Sequence, residues 1–91
     1  MAEPIPECSI SPHAILEMRR RGIVEDTVRR VLASPGQREA VRPGRDVLQS
    51  RVELERKTYL VRVVVDVDRS PCEVVTAYRT SKIEKYWRNE P

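Results

Sequence analysis

The stretch TYLVRVVVDV, residues 58–67, decides how this chain of 91 residues folds. Its β-branched and aromatic residues favour a strand, and its apolar side chains occupy both odd and even positions. Successive side chains of a strand point to opposite faces of a sheet. The stretch therefore predicts a central strand that is covered on both faces.

Three further segments predict strands around this one. Residues 48–54 alternate between apolar and polar side chains, as a half-buried strand does. Residues 72–79 follow a turn at residues 68–71 and form the next predicted strand. An edge strand is expected near residues 37–41, where Pro43 limits its length. The predicted sheet is antiparallel and has three or four strands.

Two amphipathic segments before the sheet predict helices. The first runs from about Pro12 to Arg21, with Ser11 as its N-cap and Gly22 as its end. The second runs from about residue 25 to residue 34, with its apolar side chains on one helical face.

The last predicted element is a short C-terminal helix. Ser81 stands three residues before Glu84, which is the spacing of a capping box, and the helix should cover residues 82–88. We therefore expect a single domain over residues 1–91, with residues 1–10 as an extended lead-in. Its fold class is α+β, with two N-terminal helices on one face of the sheet and the other face free to meet a ligand.

Composition excludes several classes of protein. The chain has 17 Lys and Arg against 14 Asp and Glu, a formal net charge of +3, and 40% apolar residues. It has no long apolar run, which argues against a membrane span, and its acidic, proline-containing start argues against a signal peptide. Cys8 and Cys72 form no C-x-x-C pair, and with one histidine they predict neither a metal site nor a disulfide framework. We expect a cytoplasmic protein with two reduced thiols.

His13 is the one histidine and the first candidate for chemistry. It falls in the first turn of the first predicted helix, where a neutral imidazole can accept a proton as a general base must. The structural alternative is a histidine that bonds a nearby loop and fixes the helix.

The segment of residues 76–82 is the densest in functional groups. Thr76 and Tyr78 should share one strand face, and Arg79 and Lys82 follow where the strand meets the last helix. Hydroxyls and cations there could hold a phosphate. In the alternative, Tyr78 packs on the sheet and has no role in chemistry. The cations then form a solvated row on a helix face, which consists of Arg79, Lys82, Lys85 and Arg88.

Arg51 and Arg62 occupy polar positions in the alternating patterns of neighbouring predicted strands. Both could meet a phosphate backbone on the open sheet face, or pair with acids there at little gain in stability. Tyr86 and Trp87 could stack on bases beside these cations, or cap the hydrophobic core, which we favour for at least one of them.

Two parts of the chain resemble the DUF4258 family. The first part contains Ser11-x-His13-Ala14 and Met18-x-x-Arg21-Gly22-Ile23, and the second is VVTAYRTSKIEKYW, residues 74–87. The resemblance covers about residues 9–88. It implies a RelE-like fold, because the family is similar to the small bacterial ribonucleases of toxin–antitoxin pairs. It also implies an RNA-cleaving toxin, held by a small antitoxin, that needs no cofactor and no metal.

The resemblance, together with the chemistry of the residues, gives a first hypothesis for the site. Glu17 stands where we expect arginine in relatives, and its charge should weaken phosphate attraction near His13. The predicted catalytic residues are His13, Tyr78, Arg79 and Lys82. The predicted RNA-binding residues are Arg21, Arg51, Arg62, Thr76, Lys85 and Arg88.

Two rival hypotheses stay open. The chain could be a non-catalytic module of the same fold that binds RNA or an acidic protein. It could also be a homodimer that pairs through a sheet edge. Under the first hypothesis the substrate is RNA, including ribosome-bound mRNA, and the RNA 2′-hydroxyl attacks the adjacent phosphate.

Overall fold

In a computed structural model, which describes residues 2–5 and 7–89, the stretch 58–67 lies in the middle strand of a five-stranded sheet. Three helices complete an α+β fold. The elements are, in chain order, β1 (Cys8–Ile10), α1 (Pro12–Arg20), α2 (Glu25–Ala33), β2 (Gln37–Arg42), β3 (Arg45–Leu54), β4 (Lys57–Asp66), β5 (Cys72–Thr80) and α3 (Ile83–Tyr86). The α+β class and the central position of β4 confirm the prediction.

The sheet is larger than predicted and is mixed rather than antiparallel. Its strand order is β1-β5-β4-β3-β2, in which β1 pairs with β5 in parallel and all other neighbours are antiparallel. The extra strand comes from the predicted lead-in, residues 1–10. With three residues, β1 is too short to show a period of two. Met1 and Pro6 of the lead-in lie outside the described residues, as do Glu90 and Pro91.

The hydrophobic core lies between the helices α1 and α2 and one face of the sheet. Met18 and Leu32 of the helices are buried, as are Val61, Val63 and Val65 of β4. Each fully buried aliphatic side chain contributes about 1.5–3 kcal/mol. The apolar stripes that predicted the helices are therefore the surfaces that hold the helices on the sheet.

The helix ends follow local chemistry in α1 but not in α3. Ser11 Oγ accepts a hydrogen bond from the Ala14 N–H at 3.0 Å, and Gly22 adopts a φ of +66° after α1, both as predicted. The capping box is wrong, because α3 begins after Lys82 rather than after Ser81. The helix is a single turn and does not reach residue 88.

The second face of the sheet is covered, which corrects the expectation of a free face. The Gln49 side-chain N–H donates to the Tyr86 carbonyl at 3.2 Å, and that of Gln37 donates to the Arg88 carbonyl at 2.6 Å. Leu60 is fully buried on this face. Polar side chains of β2 and β3 thus bond the backbone of the C-terminal segment, residues 83–89, and hold it against the sheet.

Cys8 and Cys72 form a disulfide, so the expectation of two reduced thiols is wrong. The two residues are 64 apart in sequence but stand directly opposite each other in the parallel β1–β5 pair, with their Cα atoms 4.8 Å apart. Sequence spacing could not show this, because the contact depends on the long-range register of the sheet. Among the described residues, no helix is long and apolar enough to cross a membrane.

Candidate functional site

A stripe of three polar side chains runs along α1 and ends at its C-cap. His13, Glu17 and Arg21 follow each other at intervals of four, which places them on one side of a helix. Arg21 Nη2 donates to Glu17 Oε1 at 3.1 Å, and His13 Nε2 lies 3.8 Å from the same oxygen. The Glu17 side chain is 16% exposed and that of His13 is 70% exposed. A nearly buried carboxylate therefore stands between an exposed imidazole and a guanidinium.

Arg21 also joins this stripe to the sheet. Its Nη1 donates to Thr76 Oγ1 at 3.2 Å and to the Ala77 carbonyl at 2.9 Å, both on β5. We call the group of His13, Glu17, Arg21 and Thr76 the α1–β5 cluster. Arg20, beside the cluster, donates to the other Glu17 oxygen at 3.4 Å, so two guanidinium groups face one carboxylate and the cluster together with Arg20 carries a net positive charge.

A second group surrounds Arg62 on the covered sheet face. Arg62 Nε donates to Gln49 Oε1 at 2.9 Å, and its Nη atoms donate to the Tyr78 hydroxyl and, at 3.3 Å, to Glu39 Oε1. The Tyr86 ring lies 4.3 Å from Arg62 Cζ, a cation–π distance. We call these five residues the sheet-face cluster. The Arg62 side chain is 12% exposed.

Arg79 and Lys82 do not join Tyr78 in one site. Arg79 stands opposite Val61 in the β4–β5 ladder, so it faces the helices while its neighbour Tyr78 faces away from them. It pairs with Glu55 at 3.1 Å and lies over the Tyr59 ring. Lys82 is exposed beyond the strand. The predicted catalytic set is therefore divided among separate surfaces.

The remaining predicted RNA-binding residues lie around the sheet-face cluster. Arg51 and Arg62 share this face, as predicted. Arg51 is exposed and stacks on Trp87 at 4.4 Å, while Arg88 pairs with Glu39 at 3.4 Å. Lys85 lies 5.4 Å from the Tyr86 ring. The predicted row of four cations does not form, since α3 is too short to align them.

Sequence reasoning missed the role of three acceptors. Glu17 was expected to weaken the site because of its charge, although its spacing from His13 and Arg21 already placed it between them. Glu39 and Gln49 carry no such signal, because only the pairing of β2, β3 and β4 brings them to Arg62. Among the described residues, no group of three His, Cys, Asp or Glu side chains could hold a metal ion.

A comparison with protein families matches residues 10–79 to a domain of unknown function (DUF4258). The chain belongs to the DUF4258 family. The resemblance in sequence is thereby confirmed at the level of the family, and the match includes the whole α1–β5 cluster. No curated protein and no solved structure matches the chain. The RelE-like relationship of this DUF4258 protein stays a prediction.

Proposed function

We propose that this DUF4258 protein is the toxin of a bacterial toxin–antitoxin pair, an endoribonuclease that cuts RNA without a metal. Its catalytic centre is the α1–β5 cluster. One observation carries the proposal: Glu17 accepts a hydrogen bond from Arg21 and lies 3.8 Å from the exposed imidazole of His13, and Arg21 is fixed to β5. Cleavage of RNA by its own 2′-hydroxyl needs a proton carrier and a fixed cation at the phosphate, and the cluster offers both.

The proposed reaction is an internal transfer at phosphorus. His13 takes the proton of the 2′-hydroxyl, the 2′-oxygen forms a bond to phosphorus, and the bond to the 5′-oxygen breaks. The leaving 5′-oxygen takes a proton from water, and the products are a 2′,3′-cyclic phosphate and a 5′-hydroxyl. Arg21, whose side chain is 38% exposed, stabilises the extra charge on the phosphorane. Glu17 orients the imidazole, as carboxylates commonly do for catalytic histidines.

In this proposal Tyr78, Arg79 and Lys82 leave the catalytic set. The Tyr78 hydroxyl is bonded to Arg62, and Arg79 is bonded to Glu55 on the opposite face. Arg62 is balanced by Glu39 and covered by Tyr86, so it has little charge to offer a phosphate. The exposed cations Arg51, Lys85 and Arg88 stay candidates for binding the RNA backbone, including that of ribosome-bound mRNA.

A non-catalytic module that binds RNA or protein is the second candidate function. The distance of 3.8 Å between His13 and Glu17 favours it, because that distance exceeds a hydrogen bond. Catalytic hydrogen bonds are often long without substrate, however, and tighten when substrate binds. We therefore rank the ribonuclease first.

The test is expression in a bacterial host, with growth recorded and RNA 5′ ends mapped after induction. Wild type should arrest growth and create new 5′ ends. His13→Ala should lose about 10²- to 10⁴-fold in cleavage, which is the usual contribution of a general base. The matched control is Arg42→Ala, which removes an exposed cation far from the cluster.

Two results would overturn the ribonuclease. One is a soluble wild-type protein that binds RNA in a salt-dependent manner but creates no new ends, which assigns the binding module. The other is full cleavage by His13→Ala. A Glu17→Gln variant separates positioning from folding: we expect a changed pH profile of cleavage at an unchanged unfolding midpoint.

A further inference from the structure

The edges of the sheet differ in how they are protected. Unpaired edges invite pairing with other chains, and proteins usually block them. β2 has a register shift near Val41 and is followed by Pro43. The Cys8 carbonyl of β1 accepts a hydrogen bond from Arg29, and the Ala77 carbonyl of β5 accepts one from Arg21. Each of these edges is bulged, short or occupied.

The second half of β3 has no such protection among the described residues. β2 pairs with β3 up to Gln49, while β4 pairs with β3 along its whole length to Leu54. The Gln49 carbonyl accepts a hydrogen bond from the Gly36 N–H at 3.0 Å and therefore points toward β2. Residues two apart point the same way in an antiparallel strand. The N–H and C=O groups of Arg51 and Glu53 thus point outward, beyond the end of β2.

A cavity lies beside this free edge. It has a volume of about 340 Å³ and is formed between the end of α2 and β3. Its lining combines the apolar Val31 and Val52 with the hydroxyls of Thr27 and Ser50. Since side chains alternate along a strand, a strand added at the edge would point every second side chain into this cavity. An edge with an adjoining pocket is the arrangement by which proteins bind extended peptides.

The charges beside the cavity indicate which peptide fits. Arg30 lies on the α2 side of the cavity, and Arg51 projects from the opposite face of β3, where it stacks on Trp87; both arginines are exposed. Within residues 2–5 and 7–89, neither belongs to an ion pair. Glu53 is the acid at the edge itself. Two unpaired guanidinium groups against one carboxylate favour a negatively charged partner.

We propose that residues 51–54 of β3 are a docking edge for a partner protein. The partner adds an extended segment, in which carboxylates alternate with small apolar side chains, as a strand beside β3. Its apolar side chains enter the cavity beside Arg30, and its carboxylates, which point to the opposite face of the sheet, meet Arg51. The proposal does not depend on RNA cleavage, because no residue of the α1–β5 cluster takes part.

Amide hydrogen exchange tests the free edge first. The amides of Arg51 and Glu53 should exchange fast in the protein alone, while those of Ser50 and Val52, which point toward β4, should exchange slowly. Equal protection of all four amides would overturn the proposal, because the edge would then already be occupied.

Binding is then measured by NMR titration with a short blocked peptide that alternates glutamate and valine. We expect a Kd on the order of 0.1 mM, shifts at the Arg51 and Glu53 amides, and their protection from exchange. The same peptide with an N-methylated backbone should fail to bind, because it cannot complete the ladder.

Two matched variants test the role of charge. Arg51→Glu, on the sheet face toward which the peptide carboxylates point, should weaken binding about tenfold, and Arg19→Glu, in the last turn of α1, should leave it within about twofold. Equal loss in both variants would overturn the proposal in favour of non-specific attraction. An absence of chemical shift changes at about 1 mM peptide would also overturn the proposal. A concentration-dependent dimer that protects the Arg51 amide would overturn it too, since a second copy of this chain would then be the occupant.

Discussion

The two arginine clusters of this molecule use the same chemical groups in opposite ways. In the α1–β5 cluster, Arg21 and its partner Glu17 come from one helical stripe and leave His13 exposed to solvent. In the sheet-face cluster, Arg62 is 12% exposed and its bonds to Glu39, Gln49 and Tyr78 come from three other positions in the sheet. The difference teaches that burial, rather than residue type, separates an arginine that is open to a ligand from one that is enclosed by the fold.

Burial also decides what each cluster costs to break. Removing one member of a buried charge network leaves its partners without compensation, whereas an exposed pair can exchange protein contacts for water. We therefore expect changes in the sheet-face cluster to act on stability, and changes in the α1–β5 cluster to act on function.

The largest effect should follow from Arg62→Ala. It leaves the side-chain oxygen of Gln49, a residue that is 1% exposed, without its donor, and it leaves the carboxylate of Glu39 with the exposed Arg88 alone. We expect the free energy of unfolding to fall by about 3 kcal/mol. The measurement is urea denaturation. The control is Arg51→Ala, which removes an exposed arginine and should lower the free energy of unfolding by less than about 0.5 kcal/mol. Equal effects of the two variants would remove the contrast between buried and exposed arginines.

The second effect concerns the disulfide. Cys8 joins β1, which leads directly into α1, to Cys72 at the start of β5. Reduction should lower the free energy of unfolding by about 2 kcal/mol, because the cross-link restricts the unfolded chain. Hydrogen exchange should show that α1 is loosened while the amides around Arg62 keep their protection.

The control for this prediction is a double variant, Cys8→Ser with Cys72→Ser. It should match the reduced wild type and show no further response to reductant. If reduction instead lowered the amide protection around the sheet-face cluster as much as that of α1, the two regions would unfold as one cooperative unit. The contrast between the two arginine clusters would then be wrong.

The parts of the fold that were predicted correctly rest on local patterns. α1, α2 and β4 follow from periodicity and from the end residues Ser11 and Gly22, whose effects act within a few residues. β1, the disulfide and the covering of the second sheet face depend on contacts between distant segments. Their residues are too few or too polar to show a period, so the sequence could not reveal them.

The candidate site residues that were predicted correctly also lie on elements with clear local patterns. His13, Arg21 and Thr76 were all candidates and do come together, because α1 and β5 were both placed correctly. Arg79 was expected where the strand ends, but β5 continues to Thr80. As a strand residue, Arg79 must face away from its neighbour Tyr78, which divides the predicted catalytic set.

A smaller effect, outside both clusters, should follow from Arg56→Gly in the turn between β3 and β4. Glu55 and Arg56 both have positive φ, at 54° and 64°, where side chains are disfavoured and glycine is not. We expect the variant to stabilise the protein by about 0.5–1 kcal/mol, with both clusters unchanged. Arg56→Ala, which loses the same charge but keeps the Cβ, should show no gain. If it gained as much, charge rather than backbone conformation would explain the result.

The smallest effect belongs to the Arg45–Asp66 pair, which lies on the same sheet face as Arg62 but nearer to solvent. The hydrogen bond from Arg45 holds the pKa of Asp66 below its usual range. A carboxylate with a lowered pKa in the folded state stabilises the protein above its unfolded pKa, and this contribution disappears as the pH falls through the folded value.

Asp66→Asn should therefore lower the urea midpoint slightly at pH 7 and have no effect in strong acid, where the wild-type carboxylate is also neutral. Added salt should shrink the difference at pH 7, since a solvent-facing pair is screened. The loss caused by Arg62→Ala should survive the same salt, because the Tyr86 ring covers Arg62, whose side chain is 12% exposed, and partly buried charges are screened less. A salt response equal in both variants would mean that the C-terminal segment does not shield Arg62, and the separation of the two arginine environments would have to be abandoned.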